Sequence, residues 1–514
     1  MIANLKKSFF GLFLALLAFA YAEDTSIPGV YRYRFENGLE LFVAENNAAP
    51  LAYIEIAVRA GAVTQNPENA GLFHLYEHMM FKGNEKYENQ QAFMEGADEL
   101  GQIDQNGSTS IDRVNYFFTI PSDLVRKGLE FWSYAVRTPK LDEQELENEK
   151  AVVLSEINAH FSDPSYLCTA ELFNTMFPEN PWRTDPSGNP VNIERATADT
   201  LREIQKNYYI PANSAIFVGG NVDHEEVYYN VLQIFSDWEN PPELLPSVAT
   251  ESKNPLSADK KLVFVNPGAS SGLIQIGYYL RGPDGETDAS DTYAADVWLK
   301  VANNPNSVFA QTFVSESSLG IPQSDYVAAS YLTQRLTSLI GIYATMLASG
   351  EEEGEQSYGI GRVHPYTKSV LNPVDKSEKF LSVLKEKVVP AMLDSEKFFS
   401  AFGLNLVKQQ LEDDRIYSLE SAKSILGILS STWSTCGSDY FFAYDENIAQ
   451  VTEENVVQFI RDYIQDKNGT LIVTISPDIW KDYKTQFMAR GYEEITAEKA
   501  LWFKSYQADK TERE

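Results

Sequence analysis

Residues 31–60 read YRYRFENGLELFVAENNAAPLAYIEIAVRA, and this stretch decides how the first part of the chain folds. The segments Tyr31–Phe35 and Leu39–Ala44 flank a Glu-Asn-Gly turn, which is a strong β-hairpin signal. Leu51–Ala60 alternates well enough to predict a third strand, and a helical pattern follows from the end of a polar loop at Gly71 to about Phe81. The chain therefore begins with a small sheet and a helix that crosses it.

Further elements continue this mixture along the chain. The spacing predicts helices over Gln90–Leu100, Pro121–Val136 and Leu141–His160, and a strand over Ser110–Ile120. Strands and helices in this order predict an α+β fold in which helices pack on one face of an antiparallel sheet.

A second half echoes the first. Residues Asn240–Lys260 hold four prolines between two periodic regions and are the best linker in the chain. Beyond them, YIQDKNGTLIVTISPD at Tyr463–Asp478 resembles YYIPANSAIFVGGNVD at Tyr208–Asp223. We therefore expect two homologous α/β-sandwich domains, one over residues 23–245 and one over 261–514, joined by a linker over 246–260.

Composition excludes several classes of protein. The 514 residues include 42 Lys and Arg against 73 Asp and Glu, a net charge of −31, which excludes a nucleic-acid-binding protein with its cationic surface. A hydrophobic fraction of 44% with 22% charged residues is ordinary for a globular protein. The only two cysteines, Cys168 and Cys436, cannot form a disulfide framework, and we expect two free thiols.

The amino terminus has the pattern of a signal peptide. Lys6 and Lys7 precede the apolar run Phe9–Ala20, and Ala20-Tyr21-Ala22 has the small residues that signal peptidases require. We expect residues 1–22 to be removed after Ala22 and the mature chain to be periplasmic or secreted. No other stretch is long and apolar enough to predict a membrane span in the mature chain.

The segment Phe73–Phe81, FHLYEHMMF, contains the residues that point to chemistry. On a helix, His74 and His78 lie four apart on one face, so two imidazole nitrogens can bind one Zn²⁺ ion. Glu77 shares that face, where its carboxylate can take a proton from zinc-activated water. The alternative is an exposed polar face without metal. The apolar residues on either side predict burial and favour the metal site.

A catalytic zinc site needs a third protein ligand and one open position. Four glutamates, Glu145, Glu147, Glu149 and Glu156, lie on the helix predicted downstream. Glu149 and Glu156 are two turns apart and share a face, so one can bind zinc while the other orients a ligand. The spacing does not decide between these two roles.

These motifs resemble the inverted-zincin peptidases of the pitrilysin, insulysin and mitochondrial-processing-peptidase family, most closely its bacterial members with two homologous domains per chain. The resemblance implies half of a clamshell and one zinc ion per chain. It also implies that Glu156 is the third ligand, Glu77 the general base and Glu149 a carboxylate outside the ligand set.

The resemblance also implies how substrate binds. Residues Leu100–Pro121 are similar to the family's active-site strand, to whose edge an extended peptide adds. Asn106 matches an Asn that holds the substrate backbone; alternatively, it is a turn residue before Gly107. In the family, an Arg and a Tyr stabilise the oxyanion. Tyr326 matches the Tyr, whereas Ser315 or Glu316 occupies the Arg position.

The predicted function is that of an exported zinc endopeptidase that hydrolyses unfolded peptides. Because the Arg is missing, the resemblance implies a homologous partner subunit that supplies it, with a heterodimer favoured over a homodimer. The alternative is a non-catalytic binding or assembly subunit of the same fold. A carbohydrate-binding surface protein is a third interpretation, but it leaves the His-Glu-His helix unexplained.

Overall fold

The computed structural model describes residues 23–244, 248–250, 252–348, 355–358, 362–365, 371–504 and 506. The predicted signal peptide lies outside these residues. Two mixed β-sheets, each packed with helices, form the body of the protein. The predicted α+β class is confirmed.

The first sheet has seven strands. Their bounds are β1 Glu23–Asp24, β2 Val30–Arg34, β3 Glu40–Glu45, β4 Leu51–Val58, β5 Asn106–Thr109, β6 Val114–Pro121 and β7 Ser214–Gly220. They lie in the order β1-β2-β3-β7-β4-β6-β5, which leaves β5 at an edge. The predicted hairpin is confirmed as β2 and β3, and Gly38 in its turn takes a φ of +88° that favours glycine.

Eight α-helices belong to this half. They are α1 Leu72–Met80, α2 Gln90–Glu99, α3 Val125–Arg137, α4 Glu143–Phe161, α5 Pro164–Met176, α6 Pro190–Arg195, α7 Ala198–Tyr208 and α8 His224–Phe235. The predicted helices match α1 to α4 within a few residues. The strand predicted over Ser110–Ile120 differs, because Ser110 and Arg113 bond to each other across a turn that separates β5 from β6.

The second half contains the remaining strands. They are β8 Lys260–Val265, β9 Leu273–Arg281, β10 Val327–Tyr331, β11 Leu339–Leu347, β12 Glu355–Tyr358, β13 Arg362–Pro365, β14 Thr470–Ile475 and β15 Glu493–Glu494. Six form a sheet in the order β10-β11-β9-β14-β8-β15, and β12 pairs with β13.

The helices of this half follow α8 in chain order. They are α9 Ala289–Ala302, α10 Val308–Ser315, α11 Pro373–Val383, α12 Val389–Leu393, α13 Ser395–Phe398, α14 Leu404–Ser418, α15 Ala422–Thr435, α16 Ser438–Gln450, α17 Glu453–Tyr463, α18 Pro477–Ala489 and α19 Ala497–Ala500. Within the described residues, no helix is both long and apolar enough to cross a bilayer.

The two sheets repeat one topology. The order β3-β7-β4-β6-β5 in the first corresponds to β8-β14-β9-β11-β10 in the second. In each, the first pair is parallel and the others are antiparallel. The sheets are thus mixed rather than purely antiparallel, because α7 and α17 lead β7 and β14 into the sheet in the same direction as β3 and β8.

The two halves cover each other's sheets. Alternate residues of β3 and β4 face a second core, in which Leu426, Leu429 and Trp433 of α15 pack against Phe42 and Phe217. Reciprocally, Leu172 and Met176 of α5 pack with strand residues of the second sheet. Helices therefore contact both faces of each sheet. One face is covered by helices of the same half, and the other face is covered by a helix of the other half. Cys168 and Cys436 are both free thiols.

Candidate metal centre

Helix α1 places the histidines and Glu77. Gly71 precedes it with a φ of +94°, and a Cβ there would lie 2.8 Å from the Ser187 carbonyl oxygen, so glycine lets the helix begin against that loop. Phe73, Leu75, Met79 and Met80 are buried in the core, as their pattern predicts. His74 and His78 are only partly buried. They lie on the side of α1 that faces Glu156 of α4.

Three ligand atoms converge there. His78 Nε2 lies 3.2 Å from His74 Nε2, and Glu156 Oε2 lies 3.8 Å from the His74 nitrogen and 3.4 Å from the His78 nitrogen. Zinc bonds of 2.0–2.1 Å at tetrahedral angles require ligand atoms about 3.3 Å apart. Among the described residues, these are the only three His, Cys, Asp or Glu side chains grouped closely enough to hold a metal ion. The donor set therefore fits zinc.

Glu149 contacts His78 from the side away from Glu156. Its Oε1 lies 2.8 Å from His78 Nδ1, and its Oε2 lies 2.6 Å from Lys82 Nζ. Burial alone would raise the pKa of Glu149, but the hydrogen bonds from His78 and Lys82 outweigh burial and lower it. Glu149 is thus a carboxylate that holds the His78 ring with Nε2 turned toward Glu156.

The electrostatics favour a cation between the two imidazoles. Burial, followed by the nearby His78 and His160, lowers the pKa of His74 to about 4, so its ring is neutral at neutral pH. Burial also lowers the pKa of His78, but the hydrogen bond to Glu149 and the surrounding carboxylates reverse this and raise it. A positive charge at His78 Nε2 is therefore stabilised, whether from a proton or from a metal ion.

Glu77 faces the edge strand. Its Oε2 accepts a hydrogen bond of 2.8 Å from Thr109 Oγ1, and a Cβ on Gly107 would lie 3.0 Å from its Oε1. The absence of a side chain at Gly107 thus lets β5 approach the carboxylate closely. Burial raises the pKa of Glu77, and the Thr109 hydrogen bond opposes that shift. Glu77 is held against the strand while remaining a proton acceptor.

The remaining predicted residues lie apart from this group. Asn106 begins β5, where it pairs with Phe117 of β6, and it is exposed; its Oδ1 accepts the backbone N–H of Gly107. Tyr326 ends a short 3-10 helix just before β10 and packs half-buried against the second core. Glu316, which with Ser315 is one of the two residues predicted to occupy the Arg position, pairs with Lys387 at 2.6 Å. The structure does not bring Tyr326 or Glu316 to the metal-binding group.

A cavity of about 600 Å³ reaches the edge strand β5 at Ser108. Ser108 and Asp112 line it from the first half, and Leu332, Thr333 and Gln334 line it from the second. Tyr326 is absent from the described residues that line it. Both halves therefore contribute to the surface of this cavity beside β5.

Sequence reasoning missed Thr109 and Lys82. Thr109 is a polar residue in an ordinary strand pattern, and no local signal marks it as the partner of Glu77. Lys82 follows His78 by four residues, so its helical spacing could have placed it on the face that meets Glu149.

Two models of one peptidase family match consecutive parts of the chain. Residues 41–189 match the insulinase family, peptidase family M16, and residues 195–353 match the family's second domain, described as the peptidase M16 inactive domain. The chain belongs to this family.

Two curated relatives and one solved structure illustrate the similarity. A probable mitochondrial-processing peptidase subunit beta from Arabidopsis thaliana is 26% identical over 206 residues, which are 40% of this chain and 38% of that protein. An uncharacterized zinc protease from Rickettsia bellii is 28% identical over 204 residues, 40% of this chain and 49% of that protein. The matched region thus spans half or less of these relatives.

The solved structure extends the comparison to most of the chain. The crystal structure of a protease from Helicobacter pylori aligns with a TM-score of 0.68 at 18% identity, covering 87% of this chain and all of that one. At this identity the match shows the shared fold.

Proposed function

We propose that this chain is a zinc-dependent endopeptidase that hydrolyses unfolded peptides. The observation that carries the proposal is the triangle of His74, His78 and Glu156 ligand atoms beside the Glu77 carboxylate. When bound, zinc would supply Lewis-acid chemistry that activates water for attack on a peptide carbonyl. The curated relatives named as peptidases or zinc proteases support the same activity class.

The chain's own residues have separate roles in this proposal. His74, His78 and Glu156 hold the metal, and Glu149 keeps the His78 ring oriented. Glu77 accepts the proton of the attacking water and delivers it to the leaving amine. Thr109 fixes the Glu77 carboxylate during this transfer.

Strand β5 offers a place for the substrate backbone. It is the last strand of its sheet and lies against Glu77 through Gly107. An extended peptide can add to its free edge by main-chain hydrogen bonds, which leaves selectivity to side-chain pockets such as the adjoining cavity. Asn106, exposed at the start of β5, is placed to contact that backbone.

The test is metal content together with peptide hydrolysis. We expect about one zinc per purified chain and cleavage of an unstructured quenched peptide. Glu156→Gln should lose most of the metal, whereas Glu147→Gln, an exposed change on the same helix, should retain it. Full zinc occupancy in Glu156→Gln would contradict the ligand assignment.

The second candidate, a non-catalytic subunit, is favoured by one observation. Ser315 or Glu316 stands where the family has Arg, and Glu316 is paired with Lys387. A homologous partner chain that supplies Arg and Tyr would complete the oxyanion site, and a heterodimer is favoured over a homodimer. Tyr326 would contribute to substrate binding only within such a pair. Hydrolysis followed against the ratio of mixed chains separates these cases. Full activity of an isolated monomer contradicts the need for a partner.

We also propose export to the periplasm or the exterior after cleavage behind Ala22. The charged start, apolar run and small-residue site of residues 1–22 support this location. Amino-terminal sequencing of the secreted or periplasmic protein should begin at Glu23.

A further inference from the structure

A second cavity lies in the helical layer of the second half, away from the metal-binding residues. Its volume is about 530 Å³, and its walls come from α9, α14, α15, α16 and the end of β10. Tyr331, Tyr440 and Tyr444 line it together with Asp296 of α9. We call it the Asp296 cavity.

Asp296 is a carboxylate without a cationic partner among the described residues. Its Oδ2 accepts a hydrogen bond of 2.7 Å from the Tyr444 hydroxyl. No described Lys, Arg or His side chain forms an ion pair with it, and no described residue donates a hydrogen bond to Oδ1. The burial of Asp296 raises its pKa to about 6, so the carboxylate is anionic at neutral pH.

The other charges of the lining are already paired. Asp414 lies 2.5 Å from Lys300 Nζ, and Arg415 Nε lies 3.1 Å from Asp445. The Arg415 guanidinium lies 4.6 Å from the centre of the Phe441 ring. The cavity therefore carries one uncompensated negative charge, at Asp296, and a desolvated charge of this kind favours an opposite charge beside it.

The geometry selects the kind of cation. Asp296 Oδ2 already accepts the Tyr444 hydroxyl, whereas Oδ1 accepts no hydrogen bond from the described residues. A bidentate guanidinium uses both oxygens and would have to share Oδ2 with Tyr444. An ammonium group needs only one oxygen. The aromatic walls add a favourable surface for such a cation. The site thus fits an ammonium better than a guanidinium.

Two exposed apolar side chains lie among the polar residues that line the cavity. Leu332 is 67% exposed and Ile428 is 37% exposed, and both line the Asp296 cavity. Leu332 and Thr333 also line the cavity that reaches β5 at Ser108. An alkyl chain that ends in ammonium matches this arrangement, and a peptide bound at β5 has a neighbouring space through which to present it.

We propose that the Asp296 cavity binds an alkylammonium group, presented as a lysine side chain of a peptide substrate at a position remote from the scissile bond. The ammonium donates to Asp296 Oδ1, while the alkyl chain packs on Leu332 and Ile428. The lysine assignment rests on the proposed peptidase function, whereas the alkylammonium site itself does not.

The experiment measures binding without turnover. Fluorescence anisotropy measures the affinity of the Glu77→Gln protein for labelled unstructured peptides. A lysine is placed at each position of the peptide in turn, and each lysine peptide is compared with the same peptide carrying norleucine at that position. We expect the lysine peptide to bind about tenfold more tightly at one or more positions. An arginine peptide should gain less. Equal affinities for lysine and norleucine at every position overturn the lysine assignment.

Two further variants locate the effect. In the Glu77→Gln background, Asp296→Asn should abolish the lysine preference, and Asp414→Asn, which changes a paired carboxylate of the same cavity, should retain it. Retention of the preference in Asp296→Asn overturns the site. If Asp296→Asn does not fold, the comparison of lysine and norleucine peptides in the Glu77→Gln protein still decides the lysine assignment.

Free n-butylamine distinguishes the source of the cation. Binding of n-butylamine that depends on Asp296, without a lysine preference in any peptide, supports a site for free amines. Absence of both n-butylamine binding and lysine preference overturns the proposal. If the wild-type protein hydrolyses no peptide but the lysine preference is present, only the proposed peptidase function is contradicted.

Discussion

The two halves share a strand order. They differ in the polar side chains of one helix, which follows β4 in the first half and β9 in the second. In the first half α1 follows β4 and presents His74, Glu77 and His78 beside the edge strand β5. In the second half α9 follows β9, and its polar residue facing a cavity is Asp296, among tyrosines. One scaffold therefore supports a metal-binding triangle in one half and an unpaired carboxylate in the other.

This difference separates the residues that build the fold from those that determine chemistry. Both helices bury apolar side chains against their sheets, and both sheets leave the corresponding edge strand, β5 or β10, at one end. The chemistry depends on a few polar positions that packing does not fix. Substitutions at these positions should change activity in one half without altering the fold of either.

The largest contrast should come from removing one carboxylate in each half. Glu77→Gln removes the proposed proton acceptor but leaves the metal ligands, so zinc content should stay at the wild-type level while kcat falls by about a thousandfold or more. Asp296→Asn should leave the hydrolysis of lysine-free peptides unchanged. Loss of zinc in Glu77→Gln would make that residue structural and would break the contrast.

The next effect concerns the support of the metal ligands. Glu149→Gln keeps an acceptor for His78 but removes the charge that Lys82 and His78 share, so zinc affinity should fall about tenfold or more. Glu147→Gln is the matched control, because Glu147 is exposed on the same helix and pairs with Lys150. Competition with a chelating dye measures both. Equal affinities in the two variants would show that Glu149 does not support the centre.

The sequence was sufficient for the elements that have strong periodicity or a defined spacing. The β2–β3 hairpin, helices α1 to α4 and the grouping of His74, His78 and Glu156 all follow from local pattern or from the family resemblance. The mutual covering of the sheets by α5 and α15 could not be predicted, because their apolar faces look the same whichever sheet they meet. The Glu77–Thr109 contact was also missed, since it joins a helix to a strand 32 residues away.

The position of Glu156 shows a further limit. The apolar run Ala151–Leu154 precedes Glu156 and predicts a place on the core side of the helix, yet 45% of the Glu156 side chain is exposed. On α4 the buried positions are Leu146, Glu149, Lys150, Val153 and Ile157. Glu156 therefore lies beside the buried stripe, on the solvent-exposed side of the metal-binding triangle.

A smaller effect should follow from loosening Glu77 alone. Thr109→Val removes the hydroxyl that donates to Glu77 Oε2, so the carboxylate is less well fixed for proton transfer. We expect kcat to fall about tenfold, with KM and zinc content nearly unchanged, since hydrogen bonds to charged groups contribute about 1.5–3 kcal/mol. Thr109→Ser keeps the hydroxyl and should stay near the wild-type rate. A change in KM alone would indicate a role in substrate binding.

The smallest effect concerns the junction between the halves, where Asp112 is buried. Its two carboxylate oxygens each lie 3.3 Å from the backbone nitrogen of Arg335, which belongs to the second half. Burial raises the pKa of Asp112 to about 7, although Arg335 and Arg59 oppose the shift. The folded protein thus holds a proton that the unfolded chain releases near pH 4.

A raised carboxyl pKa makes the folded state lose stability as pH rises from about 4 to about 7, because only the unfolded chain has then released its proton. Asp112→Asn still accepts the Arg335 N–H but does not titrate. Its gain in the free energy of unfolding should therefore be small at pH 5 and reach about 1–2 kcal/mol at pH 8, since each pKa unit corresponds to at most about 1.4 kcal/mol. Thermal unfolding at the two pH values measures it as a rise of a few degrees in Tm at pH 8. Asp98→Asn, an exposed change, should show no such dependence of stability on pH. If Asp112→Asn is less stable than the wild type at pH 8, the charge of Asp112, rather than its hydrogen bonds, holds the two halves together.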